Sequence, residues 1–274
     1  LAFLYRKILS DLSYRIDIAH FLDAREGLFI KKNSKVFLIG SVHDTYSWDL
    51  QSRVLLKEYF LDWKARLIYY TLLYNLEKNA YNKFDLLISN TDYVKERLKD
   101  FYDLENKIIE TVYIAAPLGE IENLEENRNP SNIISFVGGN FQRKGLLQLI
   151  KAVKKLRDNG TFLKIVVAGK DKNQSLIEKW IQDNRFEGLV EFKGHLKREE
   201  VVNLLKISDV FALPSITEAF GLVYLEAMAY GVPVIGSWEG GTKELIKDGV
   251  NGYLVNPYDI NDIADKIMKC LDNV

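Results

Sequence analysis

Two glutamates, Glu218 and Glu226, lie eight positions apart on either side of Gly221. An apolar helical run begins at this glycine, and the free N–H groups at the start of a helix favour a phosphate oxygen. Glu226 lies two turns along that helix, where its carboxylate could accept hydrogen bonds from sugar hydroxyls. The spacing alone is weak evidence, because Glu191 and Glu199 form a second such pair, which we interpret as surface.

The elements that position these residues follow one pattern from about residue 132 onward. Short β-branched runs alternate with helical stretches such as 145–160, whose apolar residues recur on one helix face. The predicted strands are 133–138, 163–169, 190–194, 209–214, 232–236 and 252–255. Buried strands that alternate with helices predict a parallel sheet with right-handed crossovers. The loop 215–220 then lies at the carboxyl end of a strand, where open α/β sheets bind ligands.

The first half of the chain shows the same alternation with fewer strands. Its predicted strands are 16–20, 35–41, 85–89 and 108–114. It opens in a helical pattern, and no glycine-rich turn follows an early strand, so we interpret the opening βα units as absent from this chain. The acidic, proline-bearing stretch 119–132 predicts a linker. We therefore predict an α/β protein of two Rossmann-like domains, 1–130 and 131–274, of which the N-terminal domain is incomplete.

Composition excludes several classes of protein. The chain has 47% hydrophobic and 27% charged residues, which argues against disorder and collagen-like repeats. Its 37 basic residues nearly balance its 38 acidic ones, which argues against bulk electrostatic binding of nucleic acid. Cys270 is the only cysteine, which excludes an internal disulfide framework. No apolar stretch of about 18 residues and no signal-peptide pattern occurs, so we predict a cytoplasmic chain.

From Ile133 to its end, the chain resembles the nucleotide-binding domain of the retaining glycosyltransferases with the GT-B fold, the group 1 glycosyl transferases. The family pattern is a Pro-Ser, two glutamates at the spacing seen here, a Gly-Val-Pro-Val strand and a Gly-Gly-x-x-Glu turn. In chain order these motifs read Pro214-Ser215, Glu218, Glu226, Gly231-Val232-Pro233-Val234 and Gly240-Gly241-Thr242-Lys243-Glu244. The match is collinear, which makes chance a poor explanation of the glutamate pair.

The resemblance implies that the donor substrate is a nucleotide-diphosphate sugar and that no other cofactor is needed. It implies that Glu226 contacts the donor's ribose and that Glu218 lies near the transferred sugar. It also implies that the amides of Gly221 and Leu222 hold the distal phosphate.

The segment 136–145 resembles the strand-then-lysine loop of the same family. Lys144, helped by Arg143, would neutralise the diphosphate leaving group, because departing diphosphate develops negative charge. The family often carries an arginine directly after the first glycine of this segment, and this chain departs from that pattern. His195, in a segment aligned with the one that packs on the donor base, would line that pocket; the alternative is a solvated loop histidine.

Two segments of the first half, 17–27 and 37–48, resemble the strand-end histidine segments of the family. His43 would face the donor sugar, where it would hydrogen-bond a hydroxyl or stabilise developing oxocarbenium charge through its carbonyl. His20 would support it from a neighbouring strand, and Asp44 would orient it. Without the resemblance, a histidine at a strand end is more often structural.

We therefore expect transfer of a sugar to a hydroxyl acceptor with retention, as in polysaccharide or glycolipid biosynthesis, with His43, Glu218 and Lys144 as catalytic residues. No Asp-x-Asp pair occurs, and the three histidines lack metal-ligand spacing, which predicts a metal-independent site. Two alternatives stay open. One is a non-catalytic donor-binding subunit or fragment that needs a partner chain, and the other is a GT-B sugar epimerase.

The expected partners follow from the same resemblance and from the predicted fold. The acceptor would be a glycan or a lipid-linked molecule. The helical block 62–84 mixes basic and aromatic residues and could touch a membrane surface, although we favour core packing for its aromatic face. An incomplete first sheet would expose a strand edge, so we expect poor solubility, a partner chain or an oligomer.

Overall fold

The computed structural model describes residues 16–30, 35–44, 63–116 and 130–272 of the 274-residue chain. The chain divides into two compact units, Leu1–Ile114 and Ala115–Val274. The helical pattern at the beginning of the sequence and most of the predicted linker 119–132 lie outside the described residues. The domain boundary at residue 130 therefore stays a prediction.

The first unit contains a four-stranded parallel sheet with the order β1-β2-β3-β4. The strands are β1 (Ile18–Phe21), β2 (Phe37–Val42), β3 (Leu86–Ser89) and β4 (Ile108–Thr111), with helices α1 (Trp63–Tyr81) and α2 (Asp92–Tyr102) and a 3-10 helix at Ala24–Phe29. All four strands predicted for this half are confirmed. Thr91 begins α2, because its hydroxyl accepts a hydrogen bond from the Val94 amide.

Aromatic side chains join α1 to α2 in the core of the first unit. Tyr74 stacks on Tyr102 at a centroid distance of 4.8 Å, and Tyr81 meets the same ring edge-on at 5.2 Å. The buried Glu77 carboxylate accepts hydrogen bonds from the Tyr81 and Tyr102 hydroxyls. Core packing is therefore confirmed for Tyr74 and Tyr81 of the predicted helical block.

The second unit is built around a six-stranded parallel sheet with the order β10-β9-β8-β5-β6-β7. Its strands are β5 (Ile133–Val137), β6 (Lys164–Ala168), β7 (Val190–Gly194), β8 (Val210–Ala212), β9 (Val234–Ser237) and β10 (Tyr253–Val255). All six predicted strands are confirmed, and the fold is the expected doubly wound α/β arrangement. The strand order reverses between β5 and β8, and a crevice at such a point is where open α/β sheets bind ligands.

Within residues 130–272, five α-helices accompany the sheet of the second unit. They are α3 (Leu146–Asp158), α4 (Gln174–Asp183), α5 (Arg198–Lys206), α6 (Leu222–Ala229) and α7 (Ile260–Leu271). The apolar residues of α3 that recur at helical spacing, Leu146, Leu149, Ile150, Val153 and Leu156, are all buried. No helix within the described ranges is long and apolar enough to cross a bilayer.

Candidate functional site

Three loops meet at the carboxyl ends of β5, β8 and β9, on either side of the point where the strand order reverses. The first two are in direct contact, because a Cβ on Gly145 would overlap the carbonyl oxygen of Pro214. The Ile216 amide donates to the Arg143 carbonyl at 2.8 Å, and the Gly241 amide donates to the Glu218 carbonyl at 2.8 Å. Backbone contacts therefore fix the loop that carries Glu218 from both sides.

Lys144 and Glu218 form a buried ion pair at the centre of these loops. The Lys144 Nζ lies 2.9 Å from Glu218 Oε2, and the side chains are only 15% and 9% exposed. Burial raises the pKa of the Glu218 carboxyl, but the charges of Lys144 and Arg143 and hydrogen bonds from Lys144 and the Ala219 amide outweigh it, so the pKa is lowered. The structure therefore holds an ionised carboxylate against a cation at this edge of the sheet.

Arg143 lies on the same loop and is tied to the backbone of the facing loop. Its Nη1 donates to the Thr217 carbonyl at 3.3 Å. The Thr217 hydroxyl is buried and, among the described residues, has no hydrogen-bond partner. Leaving a hydroxyl buried and unpaired costs about 1–3 kcal/mol of folding free energy. Thr217, directly before Glu218, is a polar residue of the site that sequence reasoning missed.

The helix α6 starts at the site because Gly221 allows a sharp change of chain direction. Gly221 precedes Leu222, the first helical residue, and has a φ of 88°, which glycine adopts without steric cost. A Cβ at this position would lie 2.5 Å from the Tyr224 ring. The Tyr224 hydroxyl donates to the Leu213 carbonyl at 2.6 Å and fastens the helix start to the end of β8. The Tyr224 amide donates to the Gly221 carbonyl at 2.9 Å. The amides of Leu222 and Val223, at the very start of α6, are the kind of helix N–H groups that favour an anion.

Glu226 lies farther along α6 and is paired with a residue that sequence reasoning missed. Arg198 Nη1 donates to Glu226 Oε1 at 2.9 Å, and the Glu226 side chain is 13% exposed. Arg198 is the first residue of α5, directly after Lys197. No signal in the sequence indicated this pairing, because Glu199 and Glu200 already place carboxylates in the first turn of α5.

His195 follows β7 and is exposed. Within the described residues, no hydrogen bond or ion pair links it to Glu218 or Glu226. Its predicted place beside a donor base therefore stays a prediction.

His43 belongs to the first unit, whereas the other seven predicted site residues belong to the second. It is exposed at the end of β2, and its Nε2 lies 3.0 Å from the Leu22 carbonyl oxygen. Because a carbonyl only accepts, Nε2 carries the hydrogen, and the lone pair of the neutral ring is on Nδ1. The buried Asn90 donates from Nδ2 to the His43 carbonyl at 3.1 Å, a contact that sequence reasoning missed.

Two further expectations for this region have different outcomes. Asp44 was expected to orient His43, but it forms an ion pair with Arg25 at 3.4 Å, and the Leu22 carbonyl holds the ring instead. The expectation for Asp44 is therefore wrong. His20 hydrogen-bonds Ser41 at 2.9 Å and so links β1 to β2, one strand away from His43.

The described part of the chain holds no cluster of metal ligands. Across residues 16–30, 35–44, 63–116 and 130–272, no group of three or more His, Cys, Asp or Glu side chains could hold a metal ion. Lys144 and Arg143 supply the positive charge beside Glu218.

The chain matches a protein-family model and a set of curated proteins. The family model, described as glycosyl transferases group 1, matches residues 120–274, more than half of the chain. The D-inositol 3-phosphate glycosyltransferase of Mycolicibacterium smegmatis is 28% identical over 209 residues, which cover 72% of this chain and 47% of that protein. The N-acetyl-alpha-D-glucosaminyl L-malate synthase of Bacillus anthracis is 32% identical over 186 residues, 68% of this chain and 48% of that protein. The chain thus spans about half the length of these curated relatives.

Solved structures match the fold over nearly the whole chain. Sucrose-phosphate synthase from Thermosynechococcus elongatus superposes with a TM-score of 0.76 at 20% identity, covering 99% of this chain and 68% of that one. Anabaena Alr3699/HepE, solved in complex with UDP-glucose, gives a TM-score of 0.69 at 21% identity, with 97% and 72% coverage.

Proposed function

Because this chain belongs to the group 1 glycosyl transferases, we propose that it transfers a sugar from a nucleotide-diphosphate sugar to a hydroxyl acceptor, with retention and without a metal ion. The observation that carries the proposal is the buried ion pair between Lys144 and Glu218 at the switch point of the second sheet. A lysine held in a ligand crevice is suited to a phosphate group. A carboxylate beside it is suited to the hydroxyls of a sugar.

In the proposed reaction, the diphosphate takes Lys144 away from Glu218. Lys144 and Arg143 neutralise the charge that develops on the leaving diphosphate, and the Gly221 and Leu222 amides hold the distal phosphate. In this proposal the cations and amides neutralise the diphosphate charge that a bound metal ion neutralises in other enzymes. The Glu218 carboxylate, released from Lys144, accepts hydrogen bonds from the transferred sugar.

In this proposal the acceptor hydroxyl attacks the anomeric carbon from the face that the diphosphate leaves, through an oxocarbenium-like state. The bond to the diphosphate breaks as the new bond forms, the departing diphosphate takes the hydroxyl proton, and the configuration is retained. Glu218 is the buried carboxylate of the described site, and in this proposal it binds sugar hydroxyls and does not attack the anomeric carbon. His43 presents its Nδ1 lone pair to a sugar hydroxyl. Detection of a covalent glycosyl-enzyme adduct, for example by intact-mass measurement during turnover, would overturn this mechanism.

The names of two relatives guide the proposal for the acceptor. These names specify inositol 3-phosphate and malate, molecules that offer a hydroxyl beside negative charge. We propose an acceptor hydroxyl of this general kind, on a glycan, a lipid-linked molecule or a small anion.

A second candidate function is donor binding without transfer. It is favoured by the exposed apolar residue Ile18 in β1, the edge strand of the described first sheet. In this case a partner chain would complete the enzyme. Donor binding with no transfer to any acceptor, until a partner is added, would identify it.

The test is calorimetric titration of UDP-, GDP- and ADP-sugars into the chain and into Lys144→Ala and Glu226→Ala variants. We expect one nucleotide class to bind, and each substitution to weaken binding about 10-fold to 100-fold, the value of a lost charge-assisted hydrogen bond. Lys154→Ala is the matched control, because Lys154 pairs with Asp158 on the exposed side of α3. Failure of every donor to bind would overturn the proposed function.

A further inference from the structure

The ion pair between Arg198 and Glu226 joins two different helices of the second unit. Arg198 is the first residue of α5, which follows β7, and Glu226 lies within α6, which follows β8. The Arg198 Nη1 donates to Glu226 Oε1 at 2.9 Å. We infer that Arg198 is a positioning residue that holds the Glu226 carboxylate ready for a donor whose ribose carries free 2′ and 3′ hydroxyls. This inference rests on the proposed function, in which Glu226 binds the ribose.

The ion pair between Arg198 and Glu226 adds little to the folding stability of the second unit. The Arg198 side chain is 48% exposed, and ion pairs with an exposed partner add little to folding. A cation in the first turn of α5 also opposes the dipole of that helix. The start of α5 is already satisfied in another way, because the Glu200 carboxylate accepts from the Lys197 amide at 2.7 Å. Arg198 therefore occupies an unfavourable place for the helix that carries it.

The pair does have a clear effect on Glu226. A glutamate has three side-chain torsions, and its carboxylate must be fixed before it can receive a hydroxyl pair at a defined position. Arg198 binds one oxygen, Oε1, and an ionised carboxylate still has acceptor sites on both oxygens. The Glu226 side chain is only 13% exposed, so little water competes with a ligand for this carboxylate. Pre-ordering of this kind raises affinity because the ordering cost is not paid on binding.

The chemistry of the ligand follows from the acceptor character of Glu226. An ionised carboxylate offers only acceptor atoms, so it binds hydroxyl donors and offers no hydrogen to a phosphate. Two neighbouring hydroxyls, as on a ribose, can donate to the two oxygens of one carboxylate. A 2′-deoxyribose donor would lose one contact, and a 2′,3′-dideoxyribose or a ribose blocked at both positions would lose both.

The experiment measures how the effect of Arg198 depends on the ribose hydroxyls. UDP, GDP and ADP are titrated calorimetrically into the full chain, each beside its 2′,3′-dideoxy analogue, and the nucleotide that binds is used for the variants. R198M keeps the apolar stem of the side chain and removes the charge, R198K retains a single-point cation, and E226Q removes the acceptor charge. K266M is the matched control, because Lys266 pairs with Asp248 at 3.2 Å elsewhere in the same unit.

We expect R198M to weaken binding of the ribonucleotide about threefold to tenfold, the range expected for re-ordering one side chain on binding. We expect it to leave binding of the dideoxy analogue unchanged, and to have no further effect in an E226Q background. R198K should recover part of the loss, and K266M should bind both nucleotides as the unmodified chain does. In a transfer assay, R198M should raise KM for the donor and leave kcat unchanged.

Equal weakening of the ribonucleotide and its dideoxy analogue would overturn the inference, since Arg198 would then act on another part of the donor. Unchanged ribonucleotide binding in R198M would overturn it as well. If R198M lowers the thermal midpoint of the chain, the same comparison of ribonucleotide and dideoxy analogue is made in R198K, and its result tests the inference. Failure of the unmodified chain to bind any nucleotide would instead remove the proposed function.

Discussion

The strand ends around Glu218 and those around His43 each lie at the carboxyl edge of their own parallel sheet, but different forces hold them. In the second unit, a carboxylate and a lysine are buried against each other, with side chains 9% and 15% exposed. In the first unit, the exposed His43 is held through the neutral carbonyl of Leu22 and the neutral amide of Asn90. Charge therefore stabilises the second site, whereas hydrogen-bond geometry defines the first.

The largest effect is expected from breaking the buried ion pair. Lys144→Ala leaves the Glu218 carboxylate buried without its cation, which should lower the unfolding free energy of the second unit by about 3–5 kcal/mol. This loss of unfolding free energy is measured by urea titration, with hydrogen exchange of peptides from residues 130–272 as the readout. The double variant Lys144→Ala/Glu218→Gln should recover part of the loss, because no buried charge remains. A loss below about 1 kcal/mol in Lys144→Ala would show that the pair is solvated.

A substitution that strains the backbone close to the same ion pair should have the second largest effect on stability. Gly221 has a φ of 88°, and a Cβ there would lie 2.5 Å from the Tyr224 ring. Gly221→Ala should therefore cost about 2–3 kcal/mol, from left-handed strain and from the clash.

Gly160→Ala is the matched control for this substitution. Gly160 has a φ of 91°, and a Cβ added there would meet nothing within 4 Å, so only the strain of about 1 kcal/mol applies. Equal losses in the two variants, by the same urea titration, would mean that the Tyr224 ring moves aside freely.

Much of this organisation could be predicted from the sequence, because it depends on local patterns. All ten described strands follow from β-branched runs, and Lys144 and Glu218 follow from motifs at strand ends. The pairing of Arg198 with Glu226 and of Asn90 with His43 could not, because each joins residues 28 or 47 positions apart through tertiary packing. The choice of Leu22 rather than Asp44 to hold the His43 ring likewise depends on where Arg25 lies.

Acidification should affect the second unit through Glu218. Its pKa is lowered in the folded state, so the unfolded chain binds more protons as the pH falls toward and below the ordinary glutamate range. The contribution of Glu218 to stability is therefore present above that range and is lost as the pH falls through the lowered pKa.

Glu218→Gln isolates this contribution, because other carboxylates titrate equally in both proteins. We expect the stability difference between the unmodified chain and Glu218→Gln, measured by urea titration from pH 7 to pH 3, to shrink on acidification. A difference that grows on acidification would mean that the folded pKa is raised.

The smallest effects are expected in the first unit. Asn90→Ala removes a buried hydrogen bond and should cost about 1 kcal/mol, whereas His43→Ala, at an exposed position, should cost less than about 0.5 kcal/mol. Hydrogen exchange of peptides from residues 71–116 measures both. The contrast between the two sites would be contradicted if His43→Ala destabilised the first unit as much as Lys144→Ala destabilises the second.

The assignment of the Lys144 and Glu218 pair as a diphosphate-binding centre is tested most directly by comparing nucleoside and nucleoside-diphosphate affinities. For the base that binds, both ligands are titrated into the unmodified chain and into Lys144→Ala at low and fixed salt. We predict that the diphosphate adds at least about tenfold in affinity to the unmodified chain, and that this gain disappears in Lys144→Ala while nucleoside affinity stays unchanged. The same diphosphate gain in both proteins would contradict the assignment.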